Sequence, residues 1–254
     1  MVDYEERGRV ALITIRRPEA RNAVNGEVAE GIEAAVDRLE DNPDVWVGVL
    51  TGEGPVFSAG ADLKAIAGGD AARLNTARGG FAGLVQRERS KPIVAAVNGP
   101  AFAGGCEIAL ACDLIVAARS AAFGLPEVKR ALVAAAGGLF RLPRVIGTKV
   151  AMEAILTGDP IPAERAERLG LVNVLADDGA VVDEAIALAE RIAANAPLAV
   201  QASRRVVLAA DAGADDDTLW RLSNEGIAAM FGTEDFAEGP RAFIEKRPPE
   251  WKGR

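Results

Sequence analysis

AFAGGCEIALACDLIVAARSAAFGLPEV, Ala101 to Val128, is the stretch on which the reading of this chain turns. A glycine pair leads into Glu107 and a fully apolar run, Ile108 to Cys112, as expected of a buried helix from about Gly105. DLIVAA and AAFGL then have the branched, apolar character of strands. Glu127 stands after Pro126, and proline suits the first turn of a helix. Two carboxylates 20 residues apart therefore sit in apolar surroundings, next to segments that alternate strand and helix.

The same grammar runs outward in both directions. VALITIRRP (Val10 to Pro18) alternates as a strand, and Val28, Ile32, Val36 and Leu39 mark a helix ended at Asn42-Pro43. VWVGVLTGEG reads as a second strand, followed by FSAGADLKAI, a loop entering a helix at Asp62. A further helix is expected from about Ala71 to Ser90. KPIVAAVNG is a short, wholly apolar strand of the kind buried on both faces. Strand-then-helix units of this sort predict an α/β layered fold with mostly parallel pairing. No internal repeat is evident in the residues themselves. Beyond about Gly137 nearly every segment is helical in period, LVNVL excepted, and the last sixty residues look like a helical appendage.

Composition removes several classes of function. The 254 residues, half of them hydrophobic, suffice for a sizeable core. A net charge of −8 argues against nucleic acid, whose phosphates demand a basic surface. The apolar runs are short and interrupted, and the acidic N-terminus MVDYEERGRV is no targeting peptide, so a cytoplasmic location and no membrane span are expected. Cys106 and Cys112 read as core thiols of a reducing compartment. There is no histidine, which leaves carboxylates, lysine, cysteine, Tyr4 or backbone groups to do any chemistry. GEGPVFSAG lacks the Gly-Lys-Ser/Thr of a phosphate loop, and AFAGGCE lacks dinucleotide-binding spacing.

Two loops share one pattern, a strand, small residues, then a helix start: SAGADLK (Ser58 to Lys64) and GPAFAGGCE (Gly99 to Glu107). Small residues at a helix N-terminus leave amides unpaired and accessible, so two such ends facing one point can hold an oxyanion. Each glutamate alone is explained by helix capping; together, in a chain without histidine, they suit acid–base work. Arg141, Arg144 and the Arg204-Arg205 pair read as charges on helix surfaces.

IVAAVNGPAFAGGCEIALACDLIVAARSAAFGLPEV, with FSAGADLK upstream, resembles the crotonase (enoyl-CoA hydratase/isomerase) superfamily. The likeness runs from ALITIRRPEARNAVN to GPRAFIEKRPPEW. It implies a spiral of ββα repeats over residues 1–195 and a helical oligomerisation region over 196–254, building trimers or hexamers. It implies an acyl-CoA thioester as substrate, with no metal and no cofactor beyond the coenzyme A that the substrate carries. The amides of Ala61 and Gly104 would hold the thioester oxygen. Glu107 and Glu127 fall on the catalytic glutamates of hydratases, with Glu127 the proton donor and Glu107 the base. Asp62, Leu63 and Lys64 would line the CoA and acyl path, with Arg21 and Lys246 reaching the CoA phosphates. Ile66, Phe81, Leu84, Leu132 and Phe140 are candidates for the acyl pocket.

The pattern departs from the family where hydratases usually read glycine, an aliphatic pair and Pro-Gly-x-Gly-Gly: Ala131, Ala134 and Ala135 stand there instead. Three readings follow: an enoyl-CoA hydratase, a related dehydratase or double-bond isomerase, and a non-catalytic acyl-CoA-binding scaffold. The presence of both glutamates favours the first.

Overall fold

The computed structural model describes residues 1–254. Its eleven strands are β1 (Val2–Arg7), β2 (Val10–Ile15), β3 (Val47–Gly52), β4 (Asn75–Thr76), β5 (Gly80–Phe81), β6 (Ile93–Val97), β7 (Ala101–Phe102), β8 (Leu114–Ala118), β9 (Ala122–Gly124), β10 (Ile161–Pro162) and β11 (Val174–Ala176). The ten α-helices are α1 (Gly26–Asp41), α2 (Leu63–Ala67), α3 (Gly104–Ala111), α4 (Gly138–Ile146), α5 (Thr148–Thr157), α6 (Ala163–Arg168), α7 (Val181–Ala193), α8 (Pro197–Asp211), α9 (Asp216–Met230) and α10 (Glu234–Glu245). None is long and apolar enough to cross a membrane.

The main sheet has the order β1-β2-β3-β6-β8-β11, and every pairing except β1 with β2 is parallel. Strand β6, IVAAV, is buried at every position, as a strand covered on both faces must be. Helix α7 lies across this sheet, touching β2, β3, β6, β8 and β11, and buries Val181, Ala185 and Ala189. Helix α1 is capped by the Asn25 side chain, which accepts from the Val28 amide, and buries the 28, 32, 36 and 39 positions read from the sequence.

A second strip of pairing runs beside the first. β10, β9 and β7 form a small sheet, and single bridges extend it from Ala101 to Ser58 and from Ala61 to Val24. The chain thus repeats one unit: a strand of the main sheet, a short segment of the second strip, then a helix or turn. The unit occurs as β2, Val24 and α1; as β3, Ser58–Ala61 and α2; as β6, β7 and α3; and as β8, β9 and the 3₁₀ turn Pro126–Arg130. The repeat is invisible in the residues because the second-strip segments are one to four residues long, too short to show a period.

The expected helix over 71–90 does not form. That segment is a 3₁₀ turn (Ala71–Leu74), the small β4–β5 hairpin and a chain of turns. Gly80 and Gly83 take positive φ there, and Gly83 lies so close to Ala29 O that a Cβ would stand 2.4 Å from it. The segment is fastened to the acidic face of α1 instead: Arg73 pairs with Glu30, while Arg78 and Arg87 pair with Asp37.

The helices after α7 are tied back by polar contacts. Arg204 of α8 bonds Asp113 and Arg89 O, and its largely buried side chain overturns the surface placement read from the sequence. Asp235 and Glu238 of α10 accept from the amides of Lys252, Gly253 and Glu250, and Trp251 donates to Ala194 O.

Candidate active site

The two small-residue loops meet. Gly60 and Gly104 are so close that a Cβ on Gly60 would lie 2.6 Å from Gly104 N, and Gly60 itself has φ +86. Val24 fixes the first loop on both sides of Ala61: its amide donates to Gly60 O and its carbonyl accepts from Asp62 N. The Ala61 amide between them makes no hydrogen bond within the protein, and neither does that of Gly104, the first residue of α3. Two free N–H groups on adjacent loops are the elements of an oxyanion hole. Ala103, just before Gly104, is held at φ 51, ψ −129, a strained conformation for a residue with a Cβ. The strain is imposed from both sides, since Ala103 N donates to Gly124 O and Phe102 N to Ser58 O. Phe81 closes the floor of this corner, its ring 2.5 Å from where a Cβ on Gly104 would stand.

Asn22 is the polar pin behind the first loop. Fully buried, it accepts from Arg17 N and donates to Glu53 O and Val56 O, while its own carbonyl accepts from Ser58 Oγ. Neither its spacing nor its neighbours single it out in the sequence.

Glu107 is the fourth residue of α3, one position later than the sequence suggests, and its side chain is buried. Its Oε1 accepts from the amides of Ala136 (2.8 Å) and Gly138 (2.9 Å). Burial pushes its pKa up, against the pull of those two amides and of the Arg141 charge. Glu127 sits in the first turn of the Pro126–Arg130 segment, and its buried Oε2 has no hydrogen-bond partner. Its pKa is also raised, first by burial and then by the negative charge of Glu107, which its own amide and Arg130 only partly oppose. Two interacting carboxyls in a half-dry site cannot both ionise easily, which sets one up as acid and the other as base.

Folding that raises a carboxyl pKa favours the protonated form, so stability is lost as pH climbs from the unfolded carboxylate range through the folded value. Glu107→Gln keeps an oxygen for both amides without that loss. The variant is expected to gain stability relative to the parent between pH 5 and pH 8, read as the difference in Tm at the two pH values.

The departure from the hydratase pattern is absorbed by the backbone. Ala131 takes the left-handed conformation (φ 55) that a glycine would take without strain, while Ala134 and Ala135 need no positive φ. The amides that hold Glu107 come from Ala136 and Gly138, outside the substituted positions.

The other expected site residues differ in their exposure. Asp62 is buried: it caps α2 through the Lys64 and Ala65 amides and pairs with Arg17 at 2.6 Å. Burial works against its charge, but Arg17 and the two amides hold its pKa below the ordinary value. Leu63 and Lys64 are exposed on the short α2. Arg21, also exposed, is next to the first loop through its carbonyl, which accepts from Ala59 N. Lys246 ends α10 with φ 55, exposed, and no hydrogen bond or ion pair joins it to the other candidates. Among the apolar candidates Phe81 and Leu84 are buried, whereas Ile66, Leu132 and Phe140 are exposed. Cys106 is buried, its thiol pushed well up by burial and by the nearby Glu107 and Glu127. Arg141, a surface charge on the sequence reading, is half-buried and bonds Val85 O and Ala136 O.

Known proteins resemble this chain over nearly its whole length. Residues 5–254 match the family described as Enoyl-CoA hydratase/isomerase. A carnitinyl-CoA dehydratase of Salmonella paratyphi A is 40% identical over 253 residues, covering 97% of this chain and 96% of the relative. The crystal structure of an enoyl-CoA hydratase from Mycobacterium tuberculosis H37Rv superposes with a TM-score of 0.95 at 49% identity, covering 100% of this chain and 99% of that one. A carnitinyl-CoA hydratase from Mycobacterium avium is 50% identical with a TM-score of 0.78, covering 100% and 98%.

Proposed function

This chain belongs to the enoyl-CoA hydratase/isomerase family and is an enzyme of the crotonase fold; on that premise we propose that it adds water across the 2,3 double bond of a trans-2-enoyl-CoA thioester. The observation that carries the reading is the pair of unpaired amides, Ala61 and Gly104, on loops in van der Waals contact, with Glu107 three residues along the helix that Gly104 opens and Glu127 close enough to feel its charge.

In this reading the thioester oxygen accepts from both amides. As water adds to the β-carbon, electron density moves through the double bond onto that oxygen, and the amides stabilise the enolate-like transition state. Glu107 works ionised: with one oxygen fixed by two amides, the other is free to take a proton from the attacking water. Glu127 works protonated, its unpartnered Oε2 donating to the α-carbon. The reverse sequence of the same steps is a dehydration. Arg21, Lys64 and Lys246 are the proposed cations for the CoA phosphates, with Asp62 setting the course of α2 from beneath.

A second reading, dehydration of a 3-hydroxyacyl-CoA with a polar tail, is favoured by the carnitinyl-CoA dehydratase relative. Turnover of crotonyl-CoA, of longer and branched enoyl-CoAs and of a trimethylammonium-bearing enoyl-CoA separates the two. Preference for the apolar series supports the first, and preference for the cationic acyl group the second. Tight CoA binding with no turnover of any would refute both.

The exposed Val207, Trp220, Ile227, Phe231, Phe243 and Ile244 lie on α8–α10 and their connections. Their exposure supports burial against further copies of the chain, and a homotrimer or a pair of trimers is the proposed assembly, checked by light scattering after size-exclusion chromatography.

A further inference from the structure

Arg141 carries a charge that its hydrogen bonds alone do not require. Its Nη2 donates to Val85 O at 2.6 Å and its Nη1 to Ala136 O at 3.3 Å. The guanidinium lies against Gly137, where a Cβ would stand 2.2 Å from Nη1. Two carbonyls can be satisfied by a neutral amide side chain, which would spare the cost of half-burying a cation. The other arginines near it have carboxylates of their own: Arg89 pairs with Asp113 at 2.7 Å, and Arg144 with Asp211 at 3.6 Å. No carboxylate lies within ion-pair distance of Arg141, and the negative group that acts on it most is Glu107.

The two residues share one loop. Ala136 gives its amide to Glu107 and its carbonyl to Arg141; Gly138 gives its amide to Glu107; and Arg141 N donates to Gly137 O. Val85, the other anchor, belongs to the segment that α1 holds through Arg78 and Arg87. The geometry points to Arg141 as a positioning residue, which clamps the Ala136–Gly138 loop to the Val85 segment and keeps a positive charge behind the Glu107 carboxylate. The reaction needs Glu107 ionised, and burial works against ionisation in this site. Arg141 counters it. The groups that face Glu107 are Glu127, the Cys106 thiol and Arg141; those that face Arg141 are Glu107, Arg89, Arg144 and the Cys112 thiol. Of these, only Arg141 is both cationic and without a carboxylate of its own.

This inference rests on the role proposed for Glu107, and its test is separable from that role. The Glu107 carboxyl is titrated by ¹³C NMR in glutamate-labelled protein, the resonance being assigned by its loss in Glu107→Gln. In Arg141→Gln the midpoint should rise by about one pH unit, and in Arg141→Lys, which keeps the charge, it should stay within about 0.3 of the parent. The acidic limb of kcat/KM should follow the same order. An unchanged midpoint in Arg141→Gln overturns the proposal, as does a rise of about one unit in Arg141→Lys. If Arg141→Gln does not fold, the Arg141→Lys midpoint decides alone, supporting the proposal when it stays with the parent and overturning it when it rises. A parent protein that turns over no thioester would refute the proposed function and leave the titration, and what it says of Arg141, intact.

Discussion

Glu127→Gln is expected to lower kcat for hydration of a short enoyl-CoA by about 10²–10⁴-fold, the range for removal of a positioned general acid or base. Its Oε2 is buried without a partner, and its pKa is raised by burial and by Glu107. A carboxyl in that state holds its proton at a pH where a solvated one would have lost it, and glutamine fills the same space with no acid to offer. In the parent, kcat/KM should rise on the acidic side as Glu107 ionises and fall on the alkaline side as Glu127 loses its proton. The residual activity of Glu127→Gln should lack the alkaline limb. Glu107→Gln should lose activity on a similar scale, and the double variant should lose little more, because the two act as a unit. Loss of the conjugated enoyl absorbance is the measurement. A Glu107→Gln variant that still shifts a double bond would instead mark an isomerase, which works with one carboxylate.

Gly60→Ala should be nearly as damaging for a different reason. The added Cβ would stand 2.6 Å from Gly104 N and 3.0 Å from Phe102 O, so the two loops would have to separate. The residue must also hold φ +86, which alanine does at a cost of about 1–3 kcal/mol. Parting the loops would move the Ala61 and Gly104 amides off the point they are proposed to share, and losing one donor of an oxyanion hole costs about 10²–10³ in kcat. Gly213→Ala is the control, because Gly213 has φ +85 between α8 and α9 with nothing within 4 Å of the added atom. It should reproduce the strain without the loss of rate. Equal rate losses in the two variants would mean that strain, not loop contact, was measured.

Most of the site is legible in the sequence because its chemistry is local. A glycine pair before an apolar helix marks a helix start with a free amide and a buried carboxylate one turn on, and Pro126 shows that Glu127 opens a turn. The residues that hold the site in register are not legible. Arg141 reads as a surface charge and Asn22 carries no signal at all until the chain brings Val85 to the one and Glu53 and Val56 to the other, across 31 to 56 positions. The partner of Asp62 is equally out of reach: from sequence the residue belongs to a ligand-facing loop, and only the fold shows that Arg17, 45 positions earlier, pairs with its charge. The 71–90 segment reads as helix because its arginines and alanines favour one, while glycines at 79, 80 and 83 and the acidic face of α1 impose a compact series of turns. The ββα repeat is hidden because its second strand shrinks to a bridge in the first two units.

In the proposed complex a thioester carbonyl rests against the amides of Ala61 and Gly104. Infrared difference spectra of an enoyl-CoA, ¹³C-labelled at that carbonyl and bound to the Glu107→Gln variant, test it without turnover. A carbonyl stretch at lower frequency than in water is expected, with the shift abolished by adding Gly60→Ala. A bound thioester whose carbonyl frequency equals that in water, or a shift that survives Gly60→Ala, would contradict it.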